Sequence, residues 1–260
     1  MKQQQNTTTA QRAISIVATS FDNFPTLCRK YGHETMASRL DCLRQSGAIV
    51  AHGVDATNLV KSLDGAMVPV PEGGFDRIVF QFPLCAPSVD RRAFETSEVP
   101  AELRNRHLIW ATLRGVVPVL AADGELWISS KKDGKYDMCH FDGTYPTELA
   151  KATSKTMSTL VFHRKWLFDA AQYPGYVTRN VDNNSSFPIE GALAYAFVHP
   201  ANPVVAAAAT PKLWGEWDCE LCAVQCSGQK ASVAHMAGNK HRRRSDLEQR
   251  WQRYIASVEA

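Results

Sequence analysis

The sequence has 260 residues, of which 45% are hydrophobic, and its formal net charge is only +3. This length suits one sizeable α/β domain with a small additional module, and the charge excludes a polycation that binds nucleic acid over its whole surface. No apolar run approaches the length of a membrane span, and residues 1–12 lack the hydrophobic segment of a signal peptide. We therefore expect no membrane partner, and we expect nucleic-acid affinity only from local clusters of charge.

The first half of the chain alternates apolar with amphipathic segments. Short apolar runs at 13–21, 48–54 and 75–82 predict strands, and helical apolar spacing over 24–46 and 100–120 predicts helices. Strands that alternate with helices in this way are typical of βαβ units, whose crossovers build a parallel sheet. We therefore predict an α/β fold for this part of the chain.

The second half of the chain is less regular. Strands are predicted at 125–130, 157–162 and 193–199, the last two as an antiparallel pair, and a helix is predicted at 144–154. Residues 201–211 are small and uncharged, which is typical of a linker.

These segments divide the chain into four predicted regions. They are a disordered leader at 1–12, an α/β domain at 13–200, the linker at 201–211 and a small module at 212–260.

The last fifth of the chain carries a metal-ligand pattern. Two residues separate Cys219 from Cys222, twelve more lead to His235, and five more lead to His241. Two thiolates on a tight turn and two imidazoles on a following helix can close a tetrahedral Zn²⁺ site, and a site this small folds only with its metal. We predict a ββα-type zinc finger with these four side chains as ligands, the alternative being a metal-free helix with two incidental histidines.

The segment HMAGNKH, which contains both histidines, resembles the matrin-type zinc fingers. This resemblance implies binding to RNA, often double-stranded, or to proteins of RNA-processing and ribosome-assembly particles. The basic residues around the finger are candidates for phosphate contacts: Lys230, Lys240, Arg242, Arg243 and Arg244. The arginine run also suits an ordinary solvated helix end, where positive charge interacts favourably with the helix dipole.

Polar side chains follow three of the predicted strands. Asp22 follows the first strand, Asp55 the second, and the segment QFPL at 81–84 the third. Ligands of open α/β sheets bind beyond the carboxyl ends of the strands, so these groups are candidates for one site. Each aspartate is equally suited to cap the helix or turn that follows it.

Four segments together resemble the Rossmann-like domain of the ribosomal RNA uridine-N3 methyltransferases: ATSFDN at 18–23, VDAT at 54–57, FDRIVFQFP at 75–83 and YPGY at 173–176. The resemblance covers residues 14–198 and implies the fold of the S-adenosylmethionine-dependent methyltransferases. It places Asp22 near the cofactor ribose and Asp55 near the adenine. It also makes residues 81–84 the catalytic loop, with Gln81 and Pro83 as the candidate catalytic residues.

The sequence departs from this family in two places. The family has a strand and a GEGNFSF-like, glycine-rich loop before the ATSFD segment, and glycine lets the backbone approach the cofactor closely. Residues 1–12 contain no glycine. The family's catalytic loop is NFPH-like, whereas this chain has Gln81 for the asparagine and Leu84 for the histidine. We therefore expect a methyltransferase-like sheet that lacks its first strand and its glycine loop.

The sequence leaves two functions open. In the first, a non-catalytic component of a ribosomal or ribosome-assembly particle contacts its proteins through the sheet and ribosomal RNA through the finger, since fold and function can separate. In the second, the protein is an active S-adenosylmethionine-dependent rRNA (uridine-N3) methyltransferase, and the glycine loop is missing only from this gene sequence. Of the seven cysteines, two are assigned to the finger and four are scattered along the α/β domain, which is typical of a reducing compartment and fits the nucleolus or nucleus and equally the mitochondrion.

Overall fold

The computed structural model describes residues 14–85, 99–131, 159–179, 185–204, 215–222 and 224–259. They belong to two compact units, and each has its own sheet. The first unit is formed by Met1–Asp55 and Lys61–Pro69, and the second by Ala56–Val60 and Val70–Ala260. No helix in these described ranges is long and apolar enough to cross a membrane.

The sheet of the first unit has two parallel strands. β1 (Val17–Ser20) pairs with β2 (Ile49–His52) along its whole length. Helices α1 (Phe24–Tyr31) and α2 (His33–Gln45) connect the two strands, and α3 (Leu59–Gly65) follows β2. Because the strands are parallel, their carboxyl ends lie at the same edge of this sheet.

The helix predicted at 24–46 is two helices. The break lies at Gly32, whose φ of +89° is readily adopted only by a residue without a Cβ atom. α1 begins at a cap in which the Asn23 side chain accepts a hydrogen bond of 3.0 Å from the Thr26 N–H. The apolar spacing of this segment continues through both helices, which is why the sequence pattern alone does not reveal the break.

The sheet of the second unit has four strands in the order β3-β4-β6-β5. They are β3 (Phe75–Gln81), β4 (Leu120–Ser130), β5 (Val161–Leu167) and β6 (Leu193–Val198). β3 and β4 are parallel, whereas β6 is antiparallel to both β4 and β5. The predicted antiparallel pairing of the last two strands is therefore confirmed.

Helix α4 (Ala101–Gly115) covers one face of this sheet and forms the main core with it. Alternate residues of a strand point to opposite faces, so α4 meets one set of side chains from each strand. The buried residues of this core are Ile109, Leu113, Val116, Leu120, Leu126, Ile128, Leu160, Tyr195 and Phe197.

The C-terminal part of the second unit is a short turn followed by two helices. The turn is closed by an antiparallel bridge between Cys219 and Val224. Helices α5 (Gln229–Ala237) and α6 (Asn239–Glu259) follow.

The predicted α/β fold is confirmed, with differences in detail. Within the described residues β1 pairs only with β2 and β3 only with β4, so the hydrogen-bond ladder is divided into two sheets. Strand bounds follow the pairing partner rather than the local pattern: β4 begins at Leu120, opposite Phe75, and β5 begins at Val161, opposite Val198. The leader at 1–12, the helix at 144–154 and most of the linker lie outside the described residues.

Candidate functional site

Four metal-binding side chains meet beside the C-terminal helices. The ligand atoms of Cys219, Cys222, His235 and His241 all lie within 4.8 Å of one another. The Nδ1 atom of His241 lies 3.4 Å from the Cys219 sulfur and 3.6 Å from the Cys222 sulfur. Both cysteines are buried. The structure thus brings the four predicted ligands together in a cluster that could hold a metal ion.

A tight turn positions the cysteines of this cluster. Cys219 and Val224 exchange two backbone hydrogen bonds, of 2.9 and 3.1 Å. The Asp218 carboxylate accepts the N–H groups of Gly215 and Cys226, each at 2.9 Å, and so ties the two ends of the turn together. Aspartate suits this position because its short side chain reaches nearby backbone donors.

The two histidines lie on different helices, contrary to the prediction of one following helix. His235 lies in α5, His241 lies in the first turn of α6, and Gly238 separates the helices with an extended ψ of 148°. On one continuous α-helix, two residues six positions apart would point about 120° away from each other. The break at Gly238 removes this divergence, and the two ring centroids lie 5.2 Å apart.

The electrostatics of the cluster suit a bound cation. Burial raises the pKa of the Cys222 thiol and the neighbouring Cys219 raises it further, while Arg244 partly offsets both effects. The Nε2 atom of His235 is buried and has no hydrogen-bond partner among the residues that the structure describes. A metal ion would stabilise the thiolates and use this nitrogen, and two thiolates with two imidazoles match zinc in number and type.

The basic residues predicted to contact RNA differ in their surroundings. Lys230, Lys240 and Arg242 are exposed. Arg243 is also exposed, but it donates a hydrogen bond of 2.7 Å to the Glu102 carboxylate on α4. Arg244 is buried and donates to a backbone oxygen within the finger. The first three therefore present the most accessible positive charge of this group.

Helix α6 packs its apolar face against α4. Trp251 is fully buried there with Leu103, Leu247 and Ile255. These contacts, together with the polar ones of Arg106 and Glu248, are called the α4–α6 joint below. The apolar spacing of α6 is visible in the sequence, but α4 as its partner is not. The joint ties the finger directly to the helix that covers the sheet.

Asp22, which is predicted to bind the cofactor ribose, forms an ion pair. Its carboxylate accepts a 2.6 Å hydrogen bond from the Lys30 ammonium group on α1. Its backbone carbonyl accepts from the Ser20 hydroxyl at 2.8 Å, and that hydroxyl also lies 2.7 Å from Nδ1 of His52. Asp22 therefore serves the local structure at the end of β1.

Asp55, the predicted adenine ligand, lies beyond the carboxyl end of β2. The Ser62 hydroxyl accepts a hydrogen bond from the Asp55 N–H at 3.0 Å and donates one to the Asp55 carbonyl at 3.1 Å. These bonds fix the backbone of Asp55 and involve neither carboxylate oxygen.

The predicted catalytic loop begins where β3 ends, at Gln81. Phe82 has a φ of +50°, which is strained for a residue with a side chain. Its N–H donates to the Ser129 carbonyl at 2.9 Å, and its ring packs edge-on against Phe168. Pro83 is buried, so this part of the loop is held firmly in place.

One group of charged and aromatic side chains is absent from the sequence predictions. Arg77 on β3, Glu125 and Trp127 on β4, and Arg164 and Trp166 on β5 lie together on the sheet face opposite α4. This group is called the arginine–tryptophan cluster below. The charged and aromatic residues recur at period two on β4 and β5, and this is the signal that could have revealed them.

Comparison with known proteins extends these observations. A family model described as BMT5-like, rRNA (uridine-N3-)-methyltransferase BTM5-like, matches residues 1–180. The heavy metal-associated isoprenylated plant protein 41 of Arabidopsis thaliana is 29% identical over 172 residues, which are 65% of this chain and 29% of that protein. The ferredoxin-fold anticodon-binding domain-containing protein 1 homolog of Mus musculus is 27% identical over 195 residues, which are 71% and 27% of the two chains.

The chain thus covers less than a third of the length of either relative. A solved chain from a complex of the Haloferax volcanii Trm112 methyltransferase activator with a methyltransferase is 11% identical, with a TM-score of 0.27. That match covers 72% of this chain and 82% of the solved chain, but a TM-score this low supports no argument.

Proposed function

Because the chain belongs to the BMT5-like family of rRNA uridine-N3 methyltransferases, we propose that it is an RNA-associated protein without methyl-transfer activity. Its four clustered ligands, two cysteines and two histidines, hold one Zn²⁺ ion in a finger that binds ribosomal RNA. Its partners are ribosomal RNA and proteins of a ribosomal or pre-ribosomal particle. The rRNA family favours the nucleolus or nucleus, with the mitochondrial ribosome as the alternative.

The loss of methyl transfer rests on the loop after β3. Methylation of uridine N3 requires a group that removes the N3 proton or orients the base for its loss. Residues 81–84 offer one neutral amide followed by Phe82, Pro83 and Leu84, so no side chain in this loop can accept a proton. The ion pair of Asp22 with Lys30 further reduces the capacity of that carboxylate to bind a ribose.

The second candidate is an active methyltransferase that uses S-adenosylmethionine. Family membership favours it, as do the carboxylates of Asp22 and Asp55, each of which follows one of two adjacent parallel strands. In this candidate the two aspartates hold the cofactor, while Gln81 and Pro83 contact the base.

Calorimetric titration of the full chain with S-adenosylmethionine separates the two candidates. We expect no heat of binding at millimolar cofactor. S-adenosylhomocysteine serves as a second ligand, because it lacks the sulfonium charge and so tests the pocket independently of that charge. Micromolar binding of either compound, together with transfer of a labelled methyl group to ribosomal RNA, would contradict the non-catalytic proposal.

Metal analysis tests the finger. We expect the purified protein to contain one equivalent of zinc, because a Cys₂His₂ set holds a single ion. Cys222→Ser should lose this metal. Cys226→Ser is the matched control, because Cys226 lies in the same turn but outside the ligand cluster. Zinc retained in Cys222→Ser, or lost equally in Cys226→Ser, would refute the assignment.

The salt dependence of binding tests the RNA contacts of the finger. Lys230, Lys240 and Arg242 are exposed, whereas the exposed Arg243 pairs with Glu102, so joint replacement of the first three by glutamate should not disturb the fold. For each phosphate that the protein no longer neutralises, the slope of log affinity against log salt should become less negative by about 0.7 to 0.9. An unchanged slope would place the phosphate contacts elsewhere on the protein.

A further inference from the structure

The arginine–tryptophan cluster is built in layers on the sheet face opposite α4, next to the apolar cluster of Phe82 and Phe168 against which Trp166 packs. Beneath the two tryptophans, β6, the strand between β4 and β5, places Ala194 opposite Trp166 and Ala196 opposite Trp127. These small side chains leave room above the strand, and the two indole rings meet over it with centroids 5.1 Å apart. The alanines are buried beneath them. The two tryptophans therefore form an aromatic layer on the sheet.

Two guanidinium groups form the next layer outward. The Arg77 guanidinium lies 4.0 Å from the centroid of the Trp127 ring, and that of Arg164 lies 4.9 Å from the Trp166 ring. Both distances are typical of cation–π stacking. The side chains of Arg77 and Arg164 are 52% and 48% exposed, so each stacked guanidinium keeps a surface toward solvent.

Glu125 holds this outer layer in place. Its carboxylate accepts hydrogen bonds from Arg164 at 3.0 and 3.1 Å, from the Trp127 indole at 2.8 Å and from Arg77 at 3.5 Å. The carboxylate is itself mostly buried, with 15% exposure. The two arginines are thus oriented before any ligand arrives, which lowers the entropy cost of binding.

The chemistry of this surface matches one kind of ligand. Unpaired nucleobases stack on aromatic rings and on the planes of arginine guanidinium groups, whereas bases within a duplex are not accessible in this way. Two arginines and one glutamate leave a net positive charge, which complements a polynucleotide backbone. Val79, on the same sheet face and opposite Trp127, is 51% exposed and adds an apolar contact for a base.

We propose that the arginine–tryptophan cluster is a binding site for unpaired bases of single-stranded RNA, which stack on the outer surfaces of Arg77 and Arg164. Glu125 already accepts hydrogen bonds from both guanidinium groups, which leaves fewer donors for phosphate, while their outer surfaces stay available for stacking, so the site favours bases over phosphate alone. This inference rests on the proposed association with RNA. It adds a second RNA contact, on a different surface from the finger.

The test measures binding of the zinc-loaded full chain to a fluorescein-labelled oligouridylate by fluorescence anisotropy. Arg77→Ala combined with Arg164→Ala should weaken this binding by about tenfold, the effect of losing a stacked base. Lys165→Ala is the matched control, because Lys165 neighbours Arg164 on β5 but lies opposite Tyr195 of the α4-covered core. This control should change the affinity by less than about twofold.

The outcomes separate this inference from the proposed function. If the double variant binds like the wild type while the Lys230, Lys240 and Arg242 replacements weaken binding, RNA association stands and the cluster is not a site. If the wild type binds no RNA, both proposals fall. Inorganic polyphosphate is the competitor that tests base stacking: displacement of the oligouridylate from the cluster at equal phosphate concentration would overturn the preference for bases.

A crosslinking experiment keeps the proposal testable if the double variant does not fold. An oligonucleotide containing 4-thiouridine is irradiated with the wild-type protein, and the adducts are mapped by mass spectrometry. Adducts are expected within β4 and β5. Adducts confined to the finger, or a cluster buried between two copies of the chain in solution, would overturn the assignment.

Discussion

An arginine stacks on a tryptophan and pairs with a glutamate at two places in the second unit. At the α4–α6 joint, Arg106 lies 4.3 Å from the Trp251 ring centroid and 2.8 Å from the Glu248 carboxylate. In the arginine–tryptophan cluster, Arg77 lies 4.0 Å from the Trp127 ring and 3.5 Å from Glu125. The partners and distances are similar, but Arg106 is 2% exposed and Arg77 is 52% exposed.

This difference in burial assigns the two assemblies different roles. At the joint, both surfaces of the stack are occupied by protein, so the assembly can only hold two helices together. On the sheet, one surface of each guanidinium faces solvent and is available to a ligand. The comparison predicts that disruption of the joint mainly lowers stability, whereas disruption of the cluster mainly lowers binding.

Trp251→Ala should have the largest effect on stability. The indole is fully buried, and its removal leaves a cavity between α4 and α6. We expect the free energy of unfolding to fall by about 3 to 5 kcal/mol, as for other buried aromatic residues. Urea denaturation monitored by circular dichroism measures this free energy of unfolding.

Arg253→Ala on the same helix is the control for this substitution, because Arg253 is exposed. Its effect should stay within about 0.5 kcal/mol. Equal effects of the two substitutions would mean that α6 does not depend on the joint.

Glu248→Ala should have the next largest effect. It leaves the guanidinium of Arg106 buried without its carboxylate, and removal of one member of a buried ion pair costs about 3 kcal/mol or more. Arg106→Leu should cost less, because Glu248 is 23% exposed and can be solvated. Urea titrations of both variants measure this asymmetry, and equal costs would argue against a desolvated charge at the joint.

Much of the C-terminal region could be predicted from the sequence because its signals are local. The ligand spacing of the metal cluster and the apolar face of α6 both lie within a few turns of chain. The break at Gly238 could not be predicted, because it depends on the requirement that the His235 and His241 rings reach the same metal position in three dimensions. The partner of α6 could not be predicted either, because Arg106 and Glu248 are 142 residues apart.

The arginine–tryptophan cluster illustrates a different limit of sequence analysis. Its residues come from three strands, and they meet only because β6 inserts between β4 and β5. A period-two pattern shows which residues share a face of one strand, but not which strands are neighbours. The same limit explains why the expected sheet could be recognised while its division into two could not.

Arg164→Ala should have a small effect on stability. Its side chain is 48% exposed, and the mostly buried Glu125 carboxylate keeps its hydrogen bonds from Trp127 and Arg77, so the cost should stay near the upper end of the range for surface ion pairs, about 1 kcal/mol. Thermal unfolding should therefore shift little, in contrast to the joint variants. A loss of stability comparable to that of Trp251→Ala would show that the arginine–tryptophan cluster is a structural element of the sheet. The contrast between a stabilising joint and a binding cluster would then have no basis.

The pH dependence of Glu125 should be the smallest effect on stability. Burial raises its pKa, but the hydrogen bond from Trp127 and the pairing with Arg164 and Arg77 outweigh burial and leave the pKa below its usual value of 4.5. A carboxyl group whose pKa falls on folding stabilises the protein above its unfolded pKa and loses this contribution as the pH falls through the folded value. The difference in unfolding free energy between wild type and Glu125→Gln should therefore be constant near neutral pH and shrink on acidification.

In an Arg164→Ala background this pH dependence should weaken, because one source of the lowered pKa is gone. The same pH dependence in both backgrounds would mean that Arg164 does not hold the carboxylate, and the arginine would then lack the fixed orientation on which base stacking depends.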